Sequence, residues 1–199
     1  HCHQIDLPGP ILRNGELAKL AAVDEGVFEA RRLPMIYRAD SGPAGLSRAV
    51  DALCEAAVAA VDDDVNILIL SDRGVDAEHS PVPALLATSA VHQRLVREGT
   101  RMLTGLVVET AEVREVHHVA ALIGFGAAAV NPWLAMDTLR QLAVSGALKG
   151  VDGPIDEGTA QRRYTEALRQ GLKKVMSKMG ISALQSYCGA KIFEAVGLS

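Results

Sequence analysis

The chain has 199 residues, of which 49% are hydrophobic and 22% are charged, and these proportions are ordinary for a single globular domain with a sizeable core. Its formal net charge of −4 argues against nucleic acid as a partner, because phosphate binding requires a clustered basic face. No apolar run approaches the roughly 18 residues of a membrane span, no signal peptide is visible, and the three cysteines are scattered. We therefore expect a protein of the reducing cytoplasm, without a membrane partner.

The first 32 residues are predicted to form an extended lead-in that contains one short helix. The chain begins with His1, Cys2 and His3, which could ligate a metal, but nothing nearby completes a ligand set at a recognised spacing. We therefore predict no metal site and interpret this start as a processed or truncated end. The helix is predicted over the segment NGELAKLAAV, with Asn14 as its N-cap.

Residues 33–199 are predicted to form one α/β domain, because strand-like and helix-like segments alternate along this part of the chain. The predicted strands are LPMIYRA, NILILS, MLTGLVVET, AAAVNPW and ISALQS. The predicted helices are LSRAVDALCEAAVAAVDDD, PALLATSAVHQRLVREGT, VREVHHVAALIGFG, LAMDTLRQLAVSGAL, AQRRYTEALRQGLKKVMSKMG with Gly180 as its C-cap, and YCGAKIFEAVGL. This alternation indicates a parallel sheet with helical crossovers, either a part-barrel (a degenerate TIM-like barrel) or an open sheet. Periodicity leaves both architectures open.

Polar residues stand where the predicted strands end, and ligands of α/β proteins gather at this edge of the sheet. The candidates for a binding rim are Asp72 and Arg73 after NILILS, Glu109 at the end of MLTGLVVET, and Asn131 in AAAVNPW. The same residue types also cap the helices that follow such strands, and Asp72 with Arg73 could be an ion pair or a loop anchor. The sequence alone leaves the binding and the structural interpretation open.

Other motifs point away from a catalytic centre. His117 and His118 are adjacent on a predicted helix, where neighbouring side chains diverge by about 100°, so they are poorly placed to share one metal. The segment GFGAAAVNP lacks the third glycine of a dinucleotide fingerprint, and no phosphate-binding loop or nucleophile elbow is present. Cys188 is expected at a helix start as a packed thiol. The basic residues of the long helix are expected to form a solvated face.

Two long stretches resemble the large-subunit family of glutamate synthase. The first is ILILSDRGVDAEHSPVPALLATSAVHQRLVREGTRMLTGLVVETAEVREVHHVAALIGFGAAAVNPWLAMDTL, and the second is GLKKVMSKMGISALQSYCGAKIFEAVGL. The similarity covers roughly residues 68–198 and continues more weakly back to LPGPILRNGELAKL. Members of this family commonly carry arginine where this chain has Cys188.

The resemblance implies the central domain of that enzyme, which is a degenerate relative of its flavin barrel. The family converts glutamine, 2-oxoglutarate and reducing equivalents into two glutamates, and ammonia travels inside the protein from an amidotransferase domain to the flavin site. The implied partners are the amidotransferase and FMN domains of the parent polypeptide and, indirectly, a small subunit or ferredoxin. The resemblance places FMN and an iron–sulfur cluster in the neighbouring domain, and no cofactor in this chain.

We therefore expect a structural and ammonia-channelling domain that is not catalytic alone. One alternative is a self-standing part-barrel enzyme or binding protein whose rim takes a small anionic metabolite. Another is a protein-interaction module that self-associates when it is isolated. Docking to the neighbouring domain is expected at the end of the long helix, through Met176, Lys178 and Met179, because methionines are flexible packing groups.

Overall fold

A computed structural model of the chain describes residues 5–151, 153–194 and 196. The three N-terminal residues considered above as metal ligands, His1, Cys2 and His3, lie outside the described residues, as does part of the predicted last helix. No helix in the described part of the chain is long and apolar enough to cross a membrane.

The elements follow one another as strand, helix, strand over most of the chain. The helices are α1 (Asn14–Ala21), α2 (Gly42–Asp62), α3 (Ala84–Arg97), α4 (Val116–Gly124), α5 (Trp133–Val144), α6 (Glu157–Lys178) and α7 (Leu184–Tyr187). The strands are β1 (Asp24–Glu25), β2 (Phe28–Pro34), β3 (Ile36–Arg38), β4 (Ile67–Ser71), β5 (His79–Pro81), β6 (Gly105–Glu109), β7 (Ala129–Asn131), β8 (Lys149–Gly150) and β9 (Gly153–Pro154). The predicted α/β class is confirmed.

The main sheet has the order β1-β2-β4-β6-β7. Strands β2, β4, β6 and β7 are parallel, whereas β1 pairs antiparallel with β2 at the edge. The parallel strands lie side by side in chain order, with one main helix between each pair. A doubly wound sheet would reverse this order at a switch point, so the observed order is that of a section of barrel wall. The structure therefore favours the part-barrel over the open sheet.

Each face of this sheet carries its own apolar cluster, because side chains alternate along a strand. On the outer face, Leu68, Leu70 and Val108 pack with residues of α2, α3, α4 and α6. On the inner face, Ile67, Ile69 and Val107 pack with residues of α1. All five residues of β4 are buried, which is why the four residues before Ser71 form an unbroken apolar run.

The segment before α1 covers the free edge of β7. Leu12 N donates to the carbonyl oxygen of Val130 at 2.9 Å, and Val130 N donates to the carbonyl oxygen of Pro10 at 2.8 Å. Ile11 lies between these bonds, forms a parallel bridge with Val130 and is fully buried. The predicted lead-in thus supplies both an edge segment and the helix that covers the inner face.

Two predictions near the N-terminus are wrong. The N-cap of α1 is Arg13 and not Asn14, and the Glu16 carboxylate accepts from both Arg13 N (2.8 Å) and the Arg13 guanidinium (2.6 Å). The predicted strand LPMIYRA is divided, because β2 ends at Pro34 and residues 36–38 turn away to pair antiparallel with β5. β2 begins earlier, at Phe28, and its half-exposed side chains give it a weak apolar signal.

Two predictions near the C-terminus, the last strand and the last helix, are wrong because tertiary contacts determine this segment. ISALQS contains no strand; residues 184–187 form the short helix α7 instead. The described residues of YCGAKIFEAVGL after Tyr187 form no helix. Gly189 and Lys191 both have a positive φ, of 76° and 54°, which interrupts helical geometry. Tyr187 is fully buried, and Gly189 N donates to the carbonyl oxygen of Gly124 at 2.9 Å, so this segment follows the end of α4.

Candidate functional site

The four rim residues predicted from the sequence lie together at the carboxyl ends of the parallel strands. β4, β6 and β7 end at Ser71, Glu109 and Asn131, and these three residues are register partners across the sheet. Asp72 and Arg73 follow Ser71 directly, and Asp72 N donates to the carbonyl oxygen of Glu109 at 3.1 Å. The parallel register is therefore what brings these positions to one level.

Glu109 lies between two arginines. Its carboxylate accepts from Arg32 Nε at 2.9 Å on Oε2 and from Arg73 Nε at 2.5 Å on Oε1. The Glu109 side chain is 2% exposed, while those of Arg32 and Arg73 are 46% and 39% exposed. A buried carboxylate is therefore paired with two guanidinium groups whose other ends reach solvent.

Asp72 is 1% exposed and serves as an acceptor for three donors. Thr110 Oγ1 and Ala111 N donate to Asp72 Oδ2 at 2.7 and 2.8 Å, and Trp133 Nε1 donates to Oδ1 at 2.6 Å. These bonds tie the loop after β4 to the loop after β6 and to the start of α5. Both carboxylate oxygens of Asp72 are committed to positioning the rim.

Trp133 and Arg73 connect the carboxylate of Asp72 to that of Glu109. The Arg73 guanidinium lies over the Trp133 ring, 4.5 Å from its centroid, in a cation–π contact. Arg73 also approaches the Asp137 carboxylate at 4.0 Å, and Arg140 approaches the same carboxylate at 3.9 Å. The aromatic face and Glu109 together restrict the orientation of the Arg73 side chain.

Asn131 connects the rim to the N-terminal segment. Its amide nitrogen donates to the carbonyl oxygen of Leu12 at 2.8 Å and to Asn14 Oδ1 at 3.0 Å, and Asn14 Nδ2 donates to Asp137 at 3.1 Å. Asn131 Oδ1 is buried and has no hydrogen-bond partner among the described residues. The side chain predicted to cap α1 therefore holds the end of β7 instead.

The loop after β6 also reaches the neighbouring helix. Glu112 N donates to Thr110 Oγ1 at 3.1 Å, and the Glu112 carboxylate accepts from Ala84 N at 3.0 Å, at the first residue of α3. The N-cap of α3 is Pro83, whose side chain has no acceptor, so Glu112 takes over this function from another element.

Sequence reasoning missed two members of this network, Arg32 and Trp133, whereas Thr110 stands beside Glu109 at the predicted end of its strand. Arg32 was missed because the strand that carries it was predicted to start at Leu33. A strand that starts before Leu33 would include Arg32 and place its charged side chain on the inner face of the sheet. A charged residue at such a position indicates a functional or structural site. The contacts of Thr110 and Trp133 depend on loops that only the folded chain brings together.

Comparison with known proteins decides the family. The glutamate synthase central domain family matches residues 1–199. The chain belongs to the glutamate synthase central domain family. It is 43% identical over 203 residues to the chloroplastic ferredoxin-dependent glutamate synthase of Spinacia oleracea, covering 98% of this chain and 12% of the relative. It is 40% identical over 196 residues to the large chain of glutamate synthase [NADPH] of Bacillus subtilis, again covering 98% and 12%. The match to glutamate synthase [NADH] of Schizosaccharomyces pombe is 40% over 199 residues, covering 99% and 9%.

This central domain therefore spans about a tenth of the length of the relatives named here. Among solved structures it resembles a flavocytochrome b2 mutant with pyruvate bound, with a TM-score of 0.54 and 14% identity, over 73% of this chain and 39% of that one. The flavin-binding domain of baker's yeast flavocytochrome b2 gives a TM-score of 0.53 and 15% identity, over 73% and 39%. At this identity the likeness concerns the fold, and it agrees with a part-barrel.

The predicted docking residues of this glutamate synthase central domain lie at the end of α6. Met176 is 7% exposed and packs in the domain's own core, whereas Met179 is 51% exposed and Lys178 is exposed. Lys178 and Met179 border a cleft of about 430 Å³ between the start of α4 and the end of α6, which we call the α4–α6 groove. Its other lining residues include Val116, His117, Gly171 and Lys174.

The remaining candidates are separated from the rim. His117 and His118 are exposed on α4, and His118 Nε2 lies 3.6 Å from the Glu115 carboxylate. Cys188 follows the end of α7, so its predicted position at a helix start is wrong. Within the described residues, no group of three or more His, Cys, Asp and Glu side chains could hold a metal ion. Five of the six basic residues of α6 are exposed and Arg169 is half-buried, as a solvated face requires.

A second polar cluster of the central domain lies at the opposite end of the sheet. Arg101 donates from Nε to His92 Nδ1 at 2.9 Å, and from its two terminal nitrogens to the carbonyl oxygens of Thr104 and Gly126, both at 2.8 Å. His92 Nδ1 must therefore be unprotonated. Burial, and secondarily the charge of Arg101, lowers the pKa of His92.

We expect this cluster to make the stability of the domain depend on pH. Because the pKa of His92 is lower in the folded state, the unfolded chain binds the proton more readily, and stability falls as the pH decreases from about 6.5 towards the lowered pKa. The substitution His92→Gln should reduce this loss, measured as the urea midpoint at pH 7.5 and 5.5. The exposed His117→Gln is the matched control and should behave as the wild type. Equal pH dependence in all three proteins would contradict the prediction.

Proposed function

We propose that this chain is the connecting domain of a glutamate synthase, which converts glutamine, 2-oxoglutarate and reducing equivalents into two glutamates. In this proposal it lies between the amidotransferase and FMN domains of its parent polypeptide, supports the path of ammonia between them, and has no catalysis of its own. FMN and an iron–sulfur cluster belong to the neighbouring domain, and a small subunit or ferredoxin acts on that domain. The proposed location is the cytoplasm.

The observation that carries the proposal is the extent of the family match. The whole chain corresponds to the central domain family, while it covers only 9–12% of the three relatives named above. A segment of this kind functions in contact with the remainder of a much longer chain. Its partners are therefore expected first within the same polypeptide.

The chemistry of the rim supports a structural role. A general base needs an accessible lone pair within hydrogen-bond reach of its substrate. Glu109 is buried between Arg32 and Arg73, and Asp72 is buried with three donors on its two oxygens. Neither carboxylate is therefore available for proton transfer in this arrangement, and each instead fixes the positions of its neighbours.

The α4–α6 groove supports docking. Its lining combines the apolar side chains of Val116, Val175 and Met179 with two lysines, Lys174 and Lys178, with His117 and with one carboxylate, Glu115. A neighbouring domain that presents apolar side chains flanked by carboxylates would complement this groove in shape and charge. Left uncovered in the isolated chain, the groove would favour weak self-association.

The isolated chain provides the first test of the proposal. Purified protein is expected to be colourless, with no glutaminase activity and no turnover that depends on 2-oxoglutarate. The measurements are the visible absorbance after gel filtration and the release of ammonia and glutamate from glutamine. Flavin absorbance that stays with the protein, or turnover above the buffer background, would contradict a purely connecting role.

The docking surface is tested in the full-length enzyme. The double substitution Lys178→Glu with Met179→Asp is expected to lower glutamate synthesis from glutamine about tenfold, because it places like charges across an interface. Glutaminase activity should change less, so that ammonia escapes to solvent. Arg163→Glu, an exposed charge reversal on the same helix, is the matched control. Unchanged coupling in the double variant would exclude this end of α6 as a docking site.

A further inference from the structure

We propose that Arg32 and Arg73 form a carboxylate-binding clamp at the mouth of the part-barrel. Each arginine uses Nε to hold Glu109, at 2.9 and 2.5 Å. For the terminal nitrogens of both groups, the described residues supply no hydrogen bond within normal distance, and the approach to Asp137 is 4.0 Å. A guanidinium has five N–H donors, so each arginine keeps most of its donors for an external acceptor.

The two guanidinium groups are held in place before any ligand arrives. They bind opposite oxygens of one carboxylate, so their Nε atoms are no more than about 8 Å apart. The buried Glu109 anchors both, and the Trp133 ring supports Arg73 from one face at 4.5 Å. A flexible arginine loses side-chain conformational entropy when it binds a ligand. For Arg32 and Arg73, most of this entropy is already lost when the chain folds. Exposures of 46% and 39% leave both side chains open to a ligand from solvent.

The charges around the clamp balance, so hydrogen-bond geometry has to supply the affinity for a carboxylate. The neighbourhood holds three cationic groups, Arg32, Arg73 and Arg140, and three anionic groups, Asp72, Glu109 and Asp137. Because these charges balance, binding does not rest on an excess of positive potential. Planar guanidinium groups bind carboxylates through paired, charge-assisted hydrogen bonds, and that geometry supplies the affinity here.

The clamp has a built-in reporter. Trp133 is the single tryptophan of the chain and lies directly beneath Arg73. A carboxylate that binds Arg73 changes the electrostatic environment of this ring, and the emission of Trp133 should shift with a saturable dependence on ligand concentration. Arg32, Arg73, Glu109 and Trp133 all lie in this chain, so the purified chain can be titrated by itself.

The experiment is a titration of the purified chain with succinate at constant ionic strength, followed by Trp133 emission. We expect saturation with succinate and no response to the neutral isostere succinamide. Arg32→Gln should raise the half-saturating concentration about tenfold, the cost of a lost charge-assisted hydrogen bond. Arg31→Gln is the matched control, because Arg31 is adjacent on the same strand but pairs with Glu29 and Asp63. Its affinity should equal that of the wild type.

Two further arms complete the design. If Arg32→Gln fails to fold by circular dichroism, Arg32→Lys keeps the charge next to Glu109 and should still weaken binding severalfold by removing the planar fork. Titration with N-acetyl-aspartate amide compares a protein-like carboxylate with a free one: tighter binding of succinate assigns the clamp to a small dicarboxylate, and tighter binding of the aspartate derivative assigns it to an acidic side chain. An absent or non-saturable signal, or equal affinity in Arg32→Gln and Arg31→Gln, would overturn the proposal.

Discussion

Replacement of Asp72 by alanine is expected to lower the free energy of unfolding by about 2–4 kcal/mol, because three donors lose their acceptor at once. Thr110 Oγ1, Ala111 N and Trp133 Nε1 all bond to this carboxylate within 2.8 Å, and Asp72 is 1% exposed. Trp133 is only half-buried, so its indole N–H can turn to water, and this limits the loss. For a chain of this size the melting temperature should fall by roughly 5–15 °C.

Two variants separate the donors that depend on Asp72. Asp72→Asn keeps one side-chain oxygen as an acceptor and should cost less than the alanine substitution. Trp133→Phe removes one donor while keeping an aromatic face for Arg73, and should cost about 1 kcal/mol. Urea unfolding followed by circular dichroism measures all three variants. An Asp72→Ala protein with the wild-type urea midpoint would show that the three hydrogen bonds to Asp72 contribute nothing to stability.

Replacement of Gly171 by alanine is expected to destabilise the domain by about 1–3 kcal/mol, although alanine is the better helix former by about 1 kcal/mol. Gly171 lies in α6 where this helix packs on α4. A Cβ atom there would stand 2.9 Å from Val116 Cγ1 and closer still to Cγ2. Valine has little rotamer freedom in a helix, so it cannot move aside without shifting α4. The result should be a loss of stability where helix propensity alone predicts a gain.

The mechanism is tested by a matched substitution and by a rescue. Gly15→Ala makes the same change in α1, where a Cβ atom would meet nothing within 4 Å, and should be neutral or stabilising. Val116→Ala in the Gly171→Ala background removes both clashing methyl groups, so the two substitutions together should cost less than their sum. Additive costs in this double-mutant cycle would show that the α4–α6 contact is not the origin of the effect.

The rim shows how much of a site the local sequence pattern can predict. NILILS predicted a buried strand, and the position of Asp72 and Arg73 directly after it placed both at the sheet edge where they lie. Glu109 and Asn131 followed from the same rule applied to the next two strands. What these residues do there depended on partners from β2, α5 and the N-terminal segment, which are distant in the sequence. The pattern therefore located the rim but could not show that its carboxylates are already paired.

The sequence by itself determined the α/β alternation, the long helices and the family, because apolar periodicity and long specific motifs are properties of neighbouring residues. Only the tertiary structure decided the start of β2, the inner position of α1 and the irregular path of residues 188–194. β2 has half-exposed side chains and weak periodicity, and it is held by its register with β4. The last segment is fixed by the burial of Tyr187 and by its hydrogen bond to α4. These features depend on contacts between distant parts of the chain, and such contacts override local preference wherever the local signal is weak.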